Sequence, residues 1–344
     1  MLHLSPFLSL TIQNFIDSCL ESYYAKHKEA VLVIGTVYRN ERRVYGIGNL
    51  SPYPTSEYSR LIYEIGSITK LFTVSLLAQL HYDGFLTIDE SLGQYVPLLP
   101  PDSPVTFQHL ATHTSGLPSR SILRETRNLF DTRNSRDPYS AFSLSEAAFY
   151  LRKISAKEAG IKYQYSNAGM GLLGHVLATE LQTTYELAVQ DGITIPLQMP
   201  DTAIHLSSEA RERFVPGYTG RRRAAELVLQ DFPGTGAFRS SISDLLTFLS
   251  VHMGVHPDKE MTSIYSITQQ LHFQKNDTFG VGLGWFHQLK DNLIWHNGGT
   301  HGYMSFMGFL PGQEIGVVVL SNKRTSSFAM NPTHIGMELL KRVR

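Results

Sequence analysis

The chain has one cysteine, Cys19, among its 344 residues. A lone thiol forms no intrachain disulfide and builds no cysteine-based metal centre. Charged residues make up only 17 %, and Lys+Arg and Asp+Glu both number 30, so the formal net charge is +0. That balance supplies no broad field to attract nucleic acid or an acidic membrane, and neither partner is expected. No run of about 18 apolar residues occurs, so no membrane-spanning helix is expected. The opening MLHLSPFLSLTIQNF lacks a basic stretch, and Ser5, Pro6 and Ser9 interrupt its apolar residues. It does not have the form of a secretory signal, which makes the cytoplasm the expected location. Fixed-period repeats and low-complexity tracts are missing as well.

What is present is an ordinary globular composition, 42 % apolar, in a length that supports one large core or two closely packed domains. Residues 11–27 place Ile12, Phe15, Ile16, Cys19 and Leu20 on one helical face. The stretch AVLVIGTVYRNERRVYGIGNL predicts a hairpin turning at Asn40–Arg42. Helices are expected over 67–82, 106–112, 143–153, 168–182 and 241–253, and residues 118–140 form a polar surface excursion. From 280 onward, GVGLGWFHQL, NLIWHNGG, YMSFMGFLP and IGVVVLSN predict antiparallel meander strands before a last helix from about 332. Strands at both ends with helices between them give an α/β (α+β) expectation: an antiparallel sheet flanked by helices. Residues 1–80 and 275–344 would form an α/β sandwich domain and 81–274 a mostly helical one, with the active site between them.

Three short stretches carry chemistry. In YEIGSITKLF, Ser67 and Lys70 stand three apart at a helix start, on one face. Either Ser67 caps the helix and Lys70 is a solvated bystander, or Lys70 takes a proton from Ser67. A lysine at a helix N-terminus opposes the dipole, and the apolar LFTVSLLAQL behind it argues for burial. In YQYSNAGMGLLG, Tyr165-Ser166-Asn167 precedes a helix rich in small residues. In IWHNGGTHGYMSF, His296-Asn297-Gly298-Gly299 ends a strand, and the paired glycines imply a close backbone approach. Tyr38-Arg39-Asn40 and His252-Met253-Gly254 have similar form but fall at a hairpin turn and a helix C-terminus. His252 and His256 have helical spacing without a third ligand pattern, so no metal is expected. His113 in THTSG is taken as a structural loop residue. The run GRRR at 220–223 is a solvated basic loop or a contact for an anionic substrate.

The order Ser-x-x-Lys, Tyr-Ser-Asn, His-Asn-Gly resembles the penicillin-recognising serine hydrolase superfamily. The tyrosine in the second motif is similar to the branch of class C β-lactamases, DD-peptidases and family VIII carboxylesterases. LATHTSGLP, YSNAGMGLLG and GTGAFRSSISDLLTFL support the resemblance, which spans about residues 28–325. It implies Ser67 as nucleophile and Lys70 with Tyr165 as the base system. It implies an oxyanion hole from the backbone of Ser67 and Gly299, and substrate contacts from Asn167, His296, Asn297, Gly298 and Gly299. No cofactor is implied. The expected partner is a small-molecule ester, amide or β-lactam.

His296 stands where β-lactamases of the superfamily usually carry lysine, and Asn297 where threonine or serine is usual. At an unperturbed pKa near 6.5, His296 would supply only part of a positive charge beside Tyr165. An esterase-like serine hydrolase with weak β-lactamase or DD-peptidase activity is therefore the leading expectation. An acyltransferase delivering the acyl group to an alcohol is the alternative, and a silent binding or sensor protein is a third. The pocket walls are expected from loops near 118–140, 210–230 and 300–305.

Overall fold

The computed structural model describes residues 7, 9–53, 57–117, 144–325 and 330–344. The excursion expected over 118–140 lies outside the described residues. The chain opens with α1 (Leu10–Lys26), capped by Ser9, whose hydroxyl accepts from Ile12 N. A hairpin follows, β1 (Leu32–Tyr38) and β2 (Glu41–Ile47), with Arg39 in the left-handed region at φ 54°. After β3 (Ile62–Glu64) comes α2 (Thr69–Tyr82). Then run α3 (Phe107–Ala111), α4 (Leu144–Leu151), α5 (Asn167–Glu180), α6 (Tyr185–Val189) and α7 (Ser208–Glu212). Short strands β4 (Tyr218–Thr219), β5 (Arg222–Arg223) and β6 (Arg239–Ser241) precede α8 (Ile242–His252) and α9 (Lys259–Ser266). The meander is β7 (Phe273–Gln274), β8 (Phe279–Val281), β9 (Phe286–Gln288), β10 (Leu293–Gly299), β11 (Met304–Leu310) and β12 (Ile315–Ser321). Strand β13 (Lys323–Arg324) and α10 (Pro332–Arg342) close the chain.

Eight strands form one antiparallel sheet in the order β2-β1-β12-β11-β10-β9-β8-β7. The two ends of the chain meet in its middle, with Leu32 opposite Ser321 and Tyr38 opposite Ile315. Both faces are covered, so β12 is buried at every position and reads as an unbroken apolar run. The period of two divides those side chains between two cores. Leu32, Ile34, Val317 and Val319 meet α1 and α10 through Ile12, Ile16, Ile335 and Leu339. Val33, Val37, Val318 and Leu320 belong to the core on the other face, with Leu71 and Phe72 of α2 and Leu245 and Leu249 of α8. Burying each such side chain is worth about 1.5–3 kcal/mol. A Cβ on Gly35 would lie 2.9 Å from both Ile242 and Leu246, so this glycine admits α8 onto the sheet.

Helix α2 is buried on all sides from Thr69 to Ala78, consistent with its all-round apolar surface. Its Phe72 ring stacks on Phe248 of α8 at 4.1 Å and 5°. This central, fixed helix anchors the residues just before it. Among the described residues, no helix is long and apolar enough to cross a membrane.

Candidate active site

Ser67 lies in a single 3-10 turn, Gly66–Ile68, between β3 and α2. No side chain caps α2, so Ser67 is not the helix cap that a start signal suggests. The turn bends at Gly66, φ 53°, which only glycine adopts without strain. A Cβ on Gly66 would come 2.7 Å from Gly299 N. One on Gly298 would lie 2.0 Å from Ile65 O and 3.0 Å from Ser67 N. Ser305 Oγ fixes the same carbonyl of Ile65 with a 2.7 Å hydrogen bond. The two glycines of the third motif thus press the edge of β10 against the backbone of the serine turn. Backbone N–H groups of Ser67 and Gly299 are brought to one place.

Lys70, one turn into α2, is fully buried. Its Nζ donates to Ser67 Oγ at 2.9 Å and to Thr235 O at 2.6 Å. That carbonyl belongs to the 3-10 turn Pro233–Thr235, which packs on α5 where Gly171 leaves room for Phe232. Among the described residues no carboxylate pairs with the amine, and burial drives its pKa well below the ordinary 10.5. A buried lysine of this kind gives up its proton far more readily than a solvated one.

Tyr165 reaches the serine from the other side, its OH 2.9 Å from Ser67 Oγ. Lys70 Nζ lies 5.2 Å from the Tyr165 ring centroid. The next residue, Ser166, caps α5 by accepting from Gly169 N at 2.9 Å, so Asn167 is the first helical residue and not the cap. Asn167 O accepts from Thr235 Oγ1 at 2.9 Å, which ties the second motif to the turn that holds Lys70.

His296 is fully buried and stacks on Phe286 at 4.4 Å, with its ring centroid 6.3 Å from that of Tyr165. Its Nδ1 donates to Asn297 O at 2.6 Å. Burial, with Lys70 nearby, pushes its pKa down to about 3. The expected partial positive charge is therefore not there: desolvation keeps the ring neutral across the working pH range. Strand alternation turns Asn297 the other way, and its Nδ2 donates to Thr333 Oγ1 on α10 at 3.0 Å.

His113, read from the sequence as a structural loop residue, packs directly against Tyr165. It is buried, at φ 59°, with its ring 4.4 Å from that of Tyr165. Its Nδ1 accepts from Ser166 N at 3.2 Å, and its O accepts from Gln164 N at 2.8 Å. The THTSG loop thus positions the strand-like approach to Tyr165. The one available signal was a histidine directly behind a capped short helix, a weak one.

A groove of about 650 Å³ opens over Ser67, Tyr165, Asn297 and Gly299. Arg324 and the α10 residues Thr333 and His334 complete its wall. The terminal helix thus contributes a wall that the loop-based expectation omitted. A larger cavity of about 1080 Å³, lined by α5 and α6 residues and by Leu227–Asp231, contains none of the motif side chains. His252 is buried against Tyr265 and Trp285, in the core and away from the groove.

Residues 16–337 match the beta-lactamase family model. The chain belongs to the beta-lactamase family. A beta-lactamase of Providencia stuartii is 25 % identical, over 90 % of this chain and 87 % of that one. The D-alanyl-D-alanine-carboxypeptidase/endopeptidase AmpH of Escherichia coli K12 is 26 % identical, over 75 % of this chain and 70 % of that one. Among solved structures, a class C beta-lactamase from Rhodobacter sphaeroides superposes with a TM-score of 0.77 at 23 % identity, covering 95 % of this chain and 98 % of that one. A beta-lactamase/D-alanine carboxypeptidase from Pseudomonas syringae gives a TM-score of 0.77 at 18 % identity, covering 97 % and 98 %. The mixed α/β fold with its large antiparallel sheet is that of the class C enzymes. As a member of this family the protein is a serine hydrolase.

Proposed function

We propose that this beta-lactamase-family hydrolase works through an acyl-enzyme on Ser67 and cleaves esters in preference to β-lactams. The observation that carries the reading is the placement of Lys70 Nζ and Tyr165 OH, each 2.9 Å from Ser67 Oγ. A serine hydroxyl is a poor nucleophile unless a base stands beside it. With both neighbours protonated, each donates to Ser67 Oγ. Once Lys70 is neutral, its lone pair accepts the serine proton as Oγ bonds to the substrate carbonyl. Such base assistance is worth about 10²–10⁴ in rate.

The carbonyl oxygen takes up negative charge and is held by Ser67 N–H and Gly299 N–H, with Ser67 preceding the N-terminus of α2. Tyr165 passes a proton to the leaving oxygen as the carbonyl–oxygen bond breaks. In the second half, water attacks the acyl-enzyme and gives its proton back through Tyr165 and Lys70, releasing the acid and restoring Ser67. Asn167 orients the substrate and His296 supports Tyr165. The ester preference rests on His296: a neutral ring leaves no fixed cation beside Tyr165 to meet the carboxylate of a β-lactam. Asn297, engaged with Thr333, supplies no hydroxyl for it either.

The test is intact-mass measurement after exposure to a fluorophosphonate and to aryl acetates and butyrates. A single adduct in the wild type that is lost in Ser67→Ala, with turnover lost in parallel, is the expected result. Turnover retained by Ser67→Ala above a few per cent of wild type would remove Ser67 from the role.

A further inference from the structure

The cavity of about 1080 Å³ beside α5 and α6 takes no part in the chemistry at Ser67. Among the described residues, none lines both this cavity and the groove over Ser67. Its size is that of a site for a small organic molecule. One wall is the end of α5 with the start of α6, and the other comes from residues 204–211 and 227–239. Leu229 and Ala237 make a small apolar cluster with Ile204 and Leu227, set apart from the two main cores, and all four line the cavity. Leu187 and Val228 line it too and are 46 % and 37 % exposed, so the apolar lining runs out to the surface. Solvent-facing apolar side chains that continue into a cavity mark a place where a ligand removes them from water.

The charged groups of the lining are already matched. Arg211 pairs with Glu226, and Arg239 with Glu226 and with Glu64, the residue opposite it in the β3–β6 pairing. Glu186 accepts from the backbone of Ile204 and His205 and meets the His205 ring. Asp231 is exposed at the rim, where water screens it. A charged ligand would lose its hydration inside and meet only charges that are already paired. The walls therefore suit a neutral, largely apolar molecule.

The same walls hold Lys70 in place. Pro233 lines the cavity and begins the 3-10 turn Pro233–Thr235, whose last carbonyl accepts from Lys70 Nζ at 2.6 Å. Tyr185 lines it as well, and its OH lies 2.7 Å from Thr73 Oγ1. Thr73 stands three residues after Lys70 on α2 and donates to Gly234 O of that turn at 3.0 Å. The turn is thus tied to α2 through Lys70 and Thr73, while its first residue borders the cavity.

We propose that this cavity is a second ligand site, that it takes a neutral, largely apolar small molecule, and that its occupant buttresses the Pro233–Thr235 turn and holds Thr235 O against Lys70. The effect on turnover, but not the binding itself, rests on the reading of Lys70 as the base.

The test uses the whole enzyme and the dye prodan, 6-propionyl-2-(dimethylamino)naphthalene, which is neutral, carries no ester and emits further to the blue when it leaves water. Titration should show saturable binding at one site, and it needs no turnover, so it reports the site whatever Ser67 and Lys70 do. Leu187→Glu, at an exposed position, should weaken binding about tenfold. Ala178→Leu, which grows a side chain from the cavity wall, should weaken it too. The anionic dye 8-anilinonaphthalene-1-sulfonate should bind more weakly than prodan. With prodan saturating, kcat for an aryl butyrate should rise about fivefold, the low end of usual couplings between sites, with KM unchanged. Leu187→Glu should turn over like the wild type without dye and show no such rise. The site is overturned by a lack of saturable binding, by binding that both variants leave unchanged, or by a dye that raises KM as a competitor in the groove. Tighter binding of the anionic dye overturns the neutral class. Bound prodan that leaves kcat unchanged or lowers it overturns the buttressing, and turnover retained by Lys70→Ala would place that failure in the reading of Lys70 instead.

Discussion

The backbone of Gly298 faces the carbonyl of Ile65 so closely that a Cβ would lie 2.0 Å from that oxygen. This contact, and not a side chain, sets the edge of β10 against the serine turn. Gly298→Ala must push the two segments apart, and Gly299 N–H then leaves its position opposite Ser67 N–H. Loss of one donor of this kind costs about 10²–10³ in kcat. The expected outcome is that loss in ester kcat with a folded far-UV spectrum. A folded Gly298→Ala with wild-type kcat would show that the close approach does not serve the oxyanion.

Lys70 and Tyr165 converge on one oxygen and are expected to act as one unit. Lys70→Ala and Tyr165→Phe should each remove most activity, and the double variant should be little worse than the more damaged single one. The cycle is measured as kcat/KM on one aryl ester. Strictly additive losses would mean that the two residues serve separate steps.

The buried amine also makes a statement about stability. An unfolded lysine holds its proton up to about 10.5, whereas burial takes the folded value well below that. The stability associated with the neutral amine is thus present above the unfolded pKa and lost as pH falls through the folded one. Lys70→Met does not titrate. It should abolish turnover and yet melt higher than wild type at pH 7, with an advantage that shrinks as pH rises towards 10. Thermal melts across that range check it. A Met variant less stable than wild type at pH 7 would mean that the contacts with Ser67 and Thr235 outweigh the desolvation cost.

The neutral His296 leads to a comparison of substrates. Wild-type kcat/KM for an aryl butyrate should exceed that for a chromogenic cephalosporin by at least roughly two decades, about 2.7 kcal/mol of transition-state binding. His296→Lys with Asn297→Thr should narrow the gap by restoring a charge and a hydroxyl. The ester profile should show no inflection near 6.5 from His296, whose pKa is pushed down to about 3. Equal wild-type rates on both substrates would sink the ester preference. Faster release of the acyl group to added alcohol than to water would instead favour acyl transfer.

Much of this site was legible in the chain. Ser67 and Lys70 are three residues apart on one helical start, so local geometry alone brings them together. The unbroken apolar run in IGVVVLSN and the paired glycines after Asn297 announced a strand and a close crossing. The hairpin at residues 30–50 and the terminal helix followed from period and turn chemistry in the same way. These features depend on neighbours within a few residues, and sequence records such neighbours directly.

Tertiary structure decided the rest, because the remaining properties belong to volumes enclosed by distant segments. Thr235 reaches Lys70 across 165 residues, and Tyr165 reaches Ser67 across 98. His113 and His296 have side chains like any surface histidine, and only complete burial on either side of Tyr165 makes them neutral. The GRRR run is a basic loop by composition, and it becomes part of a three-stranded sheet only because β13, about a hundred residues later, adds to its hairpin. Spacing along a chain fixes which atoms one turn or strand brings together. Desolvation and charge clustering depend on what else packs there, and that is settled only when the whole chain has folded.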